Sequence, residues 1–76
     1  MKEFLSYLLS LIVDHKDDVH VEEKEINTGM FQYLISLNKD DIGKVIGKEG
    51  KIIKAIRNIA KILAAKEGKK IRIDIA

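Results

Sequence analysis

Ile42-Gly43-Lys44-Val45-Ile46-Gly47-Lys48-Glu49-Gly50-Lys51-Ile52-Ile53 decides how the rest of this chain is read. Gly47 and Gly50 stand three apart, with apolar residues at helical spacing on both sides and lysines on either flank. Glycine is needed where the backbone turns with positive φ or where another molecule must approach it closely. A Gly-x-x-Gly tetrapeptide between two helices therefore reads as a loop against which a sugar–phosphate backbone can lie. No other stretch of the chain carries comparable chemistry.

Upstream of the loop, Asn38 is a good N-cap, and Asp41 occupies the N3 position, where a carboxylate can satisfy backbone donors and meet the positive helix end. These signals predict a helix over 39–46, presenting Ile42, Val45 and Ile46 on one side. Downstream, a longer helix is predicted from roughly 51 to 66, with Ile52, Ile53, Ile56, Ile59, Ala60, Leu63 and Ala64 as its apolar set. Gly68 sits where a C-cap glycine belongs, and Lys66 lies near the negative helix end. Ile71, Ile73 and Ile75 alternate with Arg72 and Asp74 as a last strand.

In the first half, Phe4, Leu5, Leu8, Leu9, Leu11 and Ile12 recur at helical steps, so residues 2–13 read as an amphipathic helix, broken at Asp14-His15-Lys16-Asp17. Val19 and Val21 alternate with polar residues through about Ile26 as a first strand. Asn27-Thr28-Gly29 is a turn cluster, and from Met30 to Leu37 the alternation puts Phe31, Tyr33, Ile35 and Leu37 on one face. The two strands should form an antiparallel hairpin. The order is α-β-β-α-α-β in one domain, 1–76, and three strands burying a face against three helices make an α+β two-layer sandwich.

Seventy-six residues bury only about 60% of the unfolded surface, and a hydrophobic content of 46% supplies one core with little margin. There is no cysteine, which excludes disulfides, thiol nucleophiles and Cys-based zinc sites. The net charge of +2 conceals an asymmetry. Residues 1–37 carry three lysines and seven acids, net −4, whereas residues 38–76 carry eleven Lys or Arg and five acids, net +6. A lysine-rich helix alone is usually a solvated face; coincidence with the glycine loop makes it the footprint of a nucleic-acid surface.

Val45-Ile46-Gly47-Lys48-Glu49-Gly50-Lys51-Ile52-Ile53-Lys54-Ala55-Ile56 resembles the VIGxxGxxIxxI signature of the KH domain, a single-strand nucleic-acid binding module. The whole chain is also similar to the small bacterial single-KH proteins of the KhpA type, through Asp41-Ile42-Gly43-Lys44-Val45-Ile46-Gly47-Lys48 and the ending Ala65-Lys66-Glu67-Gly68-Lys69. The resemblance implies the type II KH arrangement, a three-stranded mixed sheet in which the last strand pairs in parallel with the middle one. It also implies a cytoplasmic RNA-binding protein, an RNA chaperone or post-transcriptional regulator linked to cell shape and division. Such a protein would act as a homodimer or as a heterodimer with a second KH protein.

KH modules clamp about four nucleotides with the GxxG loop. On that pattern Gly47 and Gly50 permit close approach, the N–H groups opening the next helix face phosphate, and Lys48 supplies charge. Lys51, Lys54, Arg57 and Lys61 line one helix stripe, and Lys44 projects from the short helix before the loop. Ile42, Val45, Ile46 and Ile53 are candidates for the floor on which bases lie, with Val45 and Ile53 better read as core. Glu49 departs from the usual basic or neutral loop pair; it leaves the loop side chains net neutral and shifts the electrostatic work to the flanking lysines. Phe4, Tyr7, Phe31 and Tyr33 all lie in the first half and read mostly as core, so no aromatic platform accompanies the loop and recognition should be weakly sequence-selective.

Other chemistries fit poorly. The stretch Gly43 to Glu49 lacks one spacer of a Walker A loop and has Glu49 where its hydroxyl belongs. His15 and His20 read as isolated surface histidines, no acid has a recognisable partner, and no serine lies beside a histidine base. No enzyme activity, metal or cofactor is expected. Phe4–Val13 is too short to span a bilayer, which takes about 20 residues, and lacks the features of an export signal, so no membrane role is expected. The competing reading is a KH-fold protein-interaction module with weak or lost nucleic-acid binding, using the leucine-rich first helix and the Ile59/Ile62/Leu63 region.

Overall fold

Residues 1–76 are described by a computed structural model. Helix α1 (Lys2–Ser10) leads through a 3-10 turn at Lys16–Asp18 into strands β1 (His20–Asn27) and β2 (Met30–Ser36). Helix α2 (Lys39–Ile46), a second 3-10 turn (Lys48–Gly50) and helix α3 (Lys51–Lys66) follow, and strand β3 (Lys70–Ile75) ends the chain. The predicted order and the α+β layering are both present.

Helix α1 stops three residues short of the predicted 2–13 boundary. Leu11 N–H donates to Leu8 O and Ile12 N–H to Leu9 O, so the last turn tightens to i→i−3 bonding. The apolar pattern outlasts the helix because Val13 still drops into the core. Strand β2 is the middle of the sheet, antiparallel to β1 (Val21 opposite Ile35, Glu23 opposite Tyr33) and parallel to β3 (Phe31 opposite Ile71, Ile35 opposite Ile75). Parallel neighbours need a long crossover, and here it is α2, the glycine loop and α3. A register shift between Glu25 and Asn27 leaves Ile26 as the extra residue of a bulge, exposed rather than packed.

One face of the sheet is covered. Leu5 and Leu9 of α1, Val45 of α2 and Ile53, Ile56 and Ala60 of α3 meet Val21, Tyr33, Ile35 and Ile73 from the three strands. The buried stripe of α3 is Ile53, Ile56, Ala60 and Ala64, narrower than the predicted set. Ile52, Ile59 and Leu63 flank it and stay exposed, because three strands are too few to cover a wider arc of this helix. Tyr33 is core as expected, and its hydroxyl donates to Glu23 Oε2 at 2.5 Å; burial and that carboxylate push the phenol far above its ordinary pKa. Tyr7, whose hydroxyl the sequence allows at the surface, is 62% exposed on the outer side of α1.

Candidate nucleic-acid interface

Asn38 caps α2 as predicted, its Oδ1 accepting from Asp40 N–H at 2.9 Å, while its Nδ2 donates to Asp18 Oδ2 at 2.9 Å. Asp41 makes no cap. Its side chain turns away from the helix end to accept from Asp14 N–H (3.2 Å), His15 N–H (3.0 Å) and His15 Nδ1 (3.0 Å). At 1% exposure it is the sole buried charged side chain. Burial opposes the charge of Asp41, but the two backbone donors and His15 outweigh it and hold the carboxyl below its usual range. The bond to Asp41 in turn raises His15 above 6.5. His15 is thus tethered and paired, which sequence spacing could not show: the two residues lie 26 positions apart.

Helix α2 ends at Gly47, whose N–H donates to Gly43 O at 2.9 Å. Gly47 has φ +74 and ψ 177, and a Cβ there would lie 2.6 Å from Ile52 Cγ1. Both uses of glycine, positive φ and close approach, apply at this one residue. Glu49 (φ 58, ψ 23) and Gly50 (φ 74, ψ 16) follow in left-handed conformation, and the chain enters α3 with no side chain capping its N-terminus. Ile52, part of the apolar set read for this helix, lies against the loop; a bulky residue two positions after the second glycine was its only signal.

Around the loop, Lys48, Lys51, Lys54 and Lys61 are exposed and have no carboxylate within ion-pair distance. Arg57 differs from the expected solvent stripe: it is half-buried and its Nε donates to Ile73 O at 3.1 Å, on the strand at the sheet's edge. Arg57 and Lys61, with Ile71, Arg72, Ile73 and Asp74, line a shallow depression of about 330 Å³ between α3 and β3. Lys44 is engaged too, its ammonium paired with Asp14, which raises the lysine's pKa. Val45 and Ile53 are core, as read from sequence; Ile42 is half-buried and Ile46 is 36% exposed, so both remain accessible beside the loop.

No group of His, Cys, Asp and Glu side chains could hold a metal ion, and no helix is long and apolar enough to cross a membrane. What the site offers is a strained, glycine-lined turn, an uncapped helix start, free ammonium groups and a partly apolar margin.

The KhpA/KhpB KH-domain profile matches residues 2–75. This chain belongs to the KhpA/KhpB KH-domain family. The protein named "RNA-binding protein KhpA" of Chlamydia muridarum is 41% identical over 75 residues, covering 99% of this chain and 95% of its own length. Proteins of the same name from Listeria monocytogenes and Halalkalibacterium halodurans are 40% and 39% identical over 75 residues, covering 97% of their own lengths. The mixed sheet with β3 parallel to β2, expected from the KH resemblance, is present in this family member.

Proposed function

We propose that this chain is a noncatalytic single-stranded RNA-binding module that holds the sugar–phosphate backbone at Gly47-Lys48-Glu49-Gly50. The carrying observation is the convergence at one place of the left-handed loop, the uncapped start of α3 and the unpaired Lys48, Lys51 and Lys54. Phosphate oxygens need donors and positive charge, and a helix start supplies both. Ile42 and Ile46 form the apolar margin for bases.

The family's naming as RNA-binding proteins supports RNA over other polyanions. Affinity of one module is modest, ~10⁻⁴–10⁻⁶ M at physiological salt as for nonspecific contacts, and a dimer, of one chain or of two KH proteins, raises it through effective concentration. The resemblance further suggests a cytoplasmic RNA chaperone or post-transcriptional regulator connected with cell shape and division.

Amide chemical shifts recorded during titration with a short single-stranded RNA test this reading. Perturbations should concentrate between Ile42 and Arg57. Shifts confined to α1 and the outer side of α3 would contradict it and favour the second reading, a protein-interaction module. That alternative draws on the exposure of Tyr7, Leu11 and Ile62.

A further inference from the structure

We infer that Asp41 is a positioning residue for the glycine loop: with His15 it forms a latch between the α1–β1 connection and α2 that sets the helix, and hence the loop, according to the protonation of His15. The inference deepens the proposed RNA-binding site, but its first readout does not require RNA.

The geometry is that of a latch. Helix α2 has only eight residues and feeds directly into the loop, with Gly47 as its C-cap. Two buried side chains, Val45 and Asp41, root it. Val45 packs into the core, which resists separation but is not directional. Asp41 supplies direction, since its two oxygens accept three hydrogen bonds from Asp14 and His15. The same connection is tied again by Asp14 to Lys44, one turn further along α2, and by Asp18 to the cap Asn38. Asp41 stands six residues before Gly47, about 9 Å along a helix, and a rod this short transmits a change of tilt to its end.

Protonation alters the strength of the central bond. A charged imidazolium donating to a carboxylate makes a charge-assisted bond, roughly twice as strong as the bond of the neutral ring. The charged groups facing His15 are Asp41 and Asp40 of α2 and Asp18 of its own connection. Lys44 of α2 feels the charge of Asp41 but pairs with Asp14. Because the imidazole is exposed on its other side, it exchanges protons with solvent in the folded state.

The experiment is a pH titration from about 5.5 to 8.5, following the Gly47 and Gly50 amides and the His15 ring by NMR in the full chain, at low salt and at about 0.5 M salt. His15→Asn is the comparison, because its amide can still donate to Asp41 but does not titrate. The glycine amides should move with the midpoint of His15 in the wild type, at both salt concentrations, and stay flat in His15→Asn. Flat glycine amides in the wild type would overturn the latch. So would a response lost at high salt, which marks a screened through-space charge effect. In a parallel RNA titration, wild-type affinity should fall several-fold as pH rises through the His15 midpoint, while His15→Asn shows no such step. Glycine shifts that follow His15 in a protein that binds no RNA would uphold the latch and reject the RNA reading.

Discussion

Gly47 is held by two independent constraints, a positive φ and the Ile52 side chain packed where a Cβ would be. Gly50 carries only the first; nothing lies nearer than 4.0 Å to its Cβ position. The two glycines of one motif should therefore respond differently. Gly47→Val combines backbone strain with overpacking and should cost about 2–4 kcal/mol, whereas Gly50→Ala should cost about 1–2 kcal/mol. Urea denaturation of both variants measures this, and equal, small losses would contradict the loop conformation. Glu49 adopts left-handed backbone without being glycine. Asparagine enters that region several-fold more readily and carries no negative charge. Glu49→Asn should consequently raise thermal stability slightly and tighten RNA binding, as read by a melting curve and an anisotropy titration.

Among the elements, α2 depends most on polar contacts. Asn38→Ala removes its cap and the bond to Asp18 and should cost about 1 kcal/mol. Its latch also gives stability a pH window. Asp41 has a folded pKa below its unfolded value, so its contribution is present above about 3.8 and is lost as pH falls through the lowered folded value. His15 has a folded pKa above its unfolded value, so its contribution is complete below 6.5 and fades as pH rises through the raised value. Chemical denaturation across pH should show a maximum between these limits, and Asp41→Asn should flatten both flanks. Helix α2 and the approximate span of α3 were legible, because an N-cap, glycines and apolar periodicity are local signals. The latch was not, because Asp41 at N3 is equally the signature of a capping box. Only the fold brings Asp14 and His15 alongside and diverts the carboxylate to them. The contacts of Arg57 and Lys44 were hidden for the same reason: their partners, Ile73 O and Asp14, are distant in sequence.

At the scale of the whole molecule, a single apolar cluster carries the fold. A chain of 76 residues is stable by about 4–11 kcal/mol. Truncation of fully buried Ile35, in the central strand, should remove about 2–5 kcal/mol of that. Ile35→Ala should lower the urea midpoint markedly. The charge asymmetry belongs to this scale as well: the positive half of the sequence contains the crossover that carries the loop, α3 and β3. That arrangement was readable from counts alone, because it needs only the knowledge that residues 38–76 form contiguous elements.

The most direct test of the central claim is fluorescence anisotropy of a short labelled single-stranded RNA at two salt concentrations. The double variant Lys48→Asp, Glu49→Asp is titrated alongside; both positions are exposed loop, so the fold should persist. The account predicts wild-type binding that weakens with salt, with a log–log slope of about −0.7 for each phosphate contact, and its loss in the variant. Wild-type binding insensitive to salt, or a variant that binds as tightly as wild type, would contradict a nucleic-acid clamp at the glycine loop.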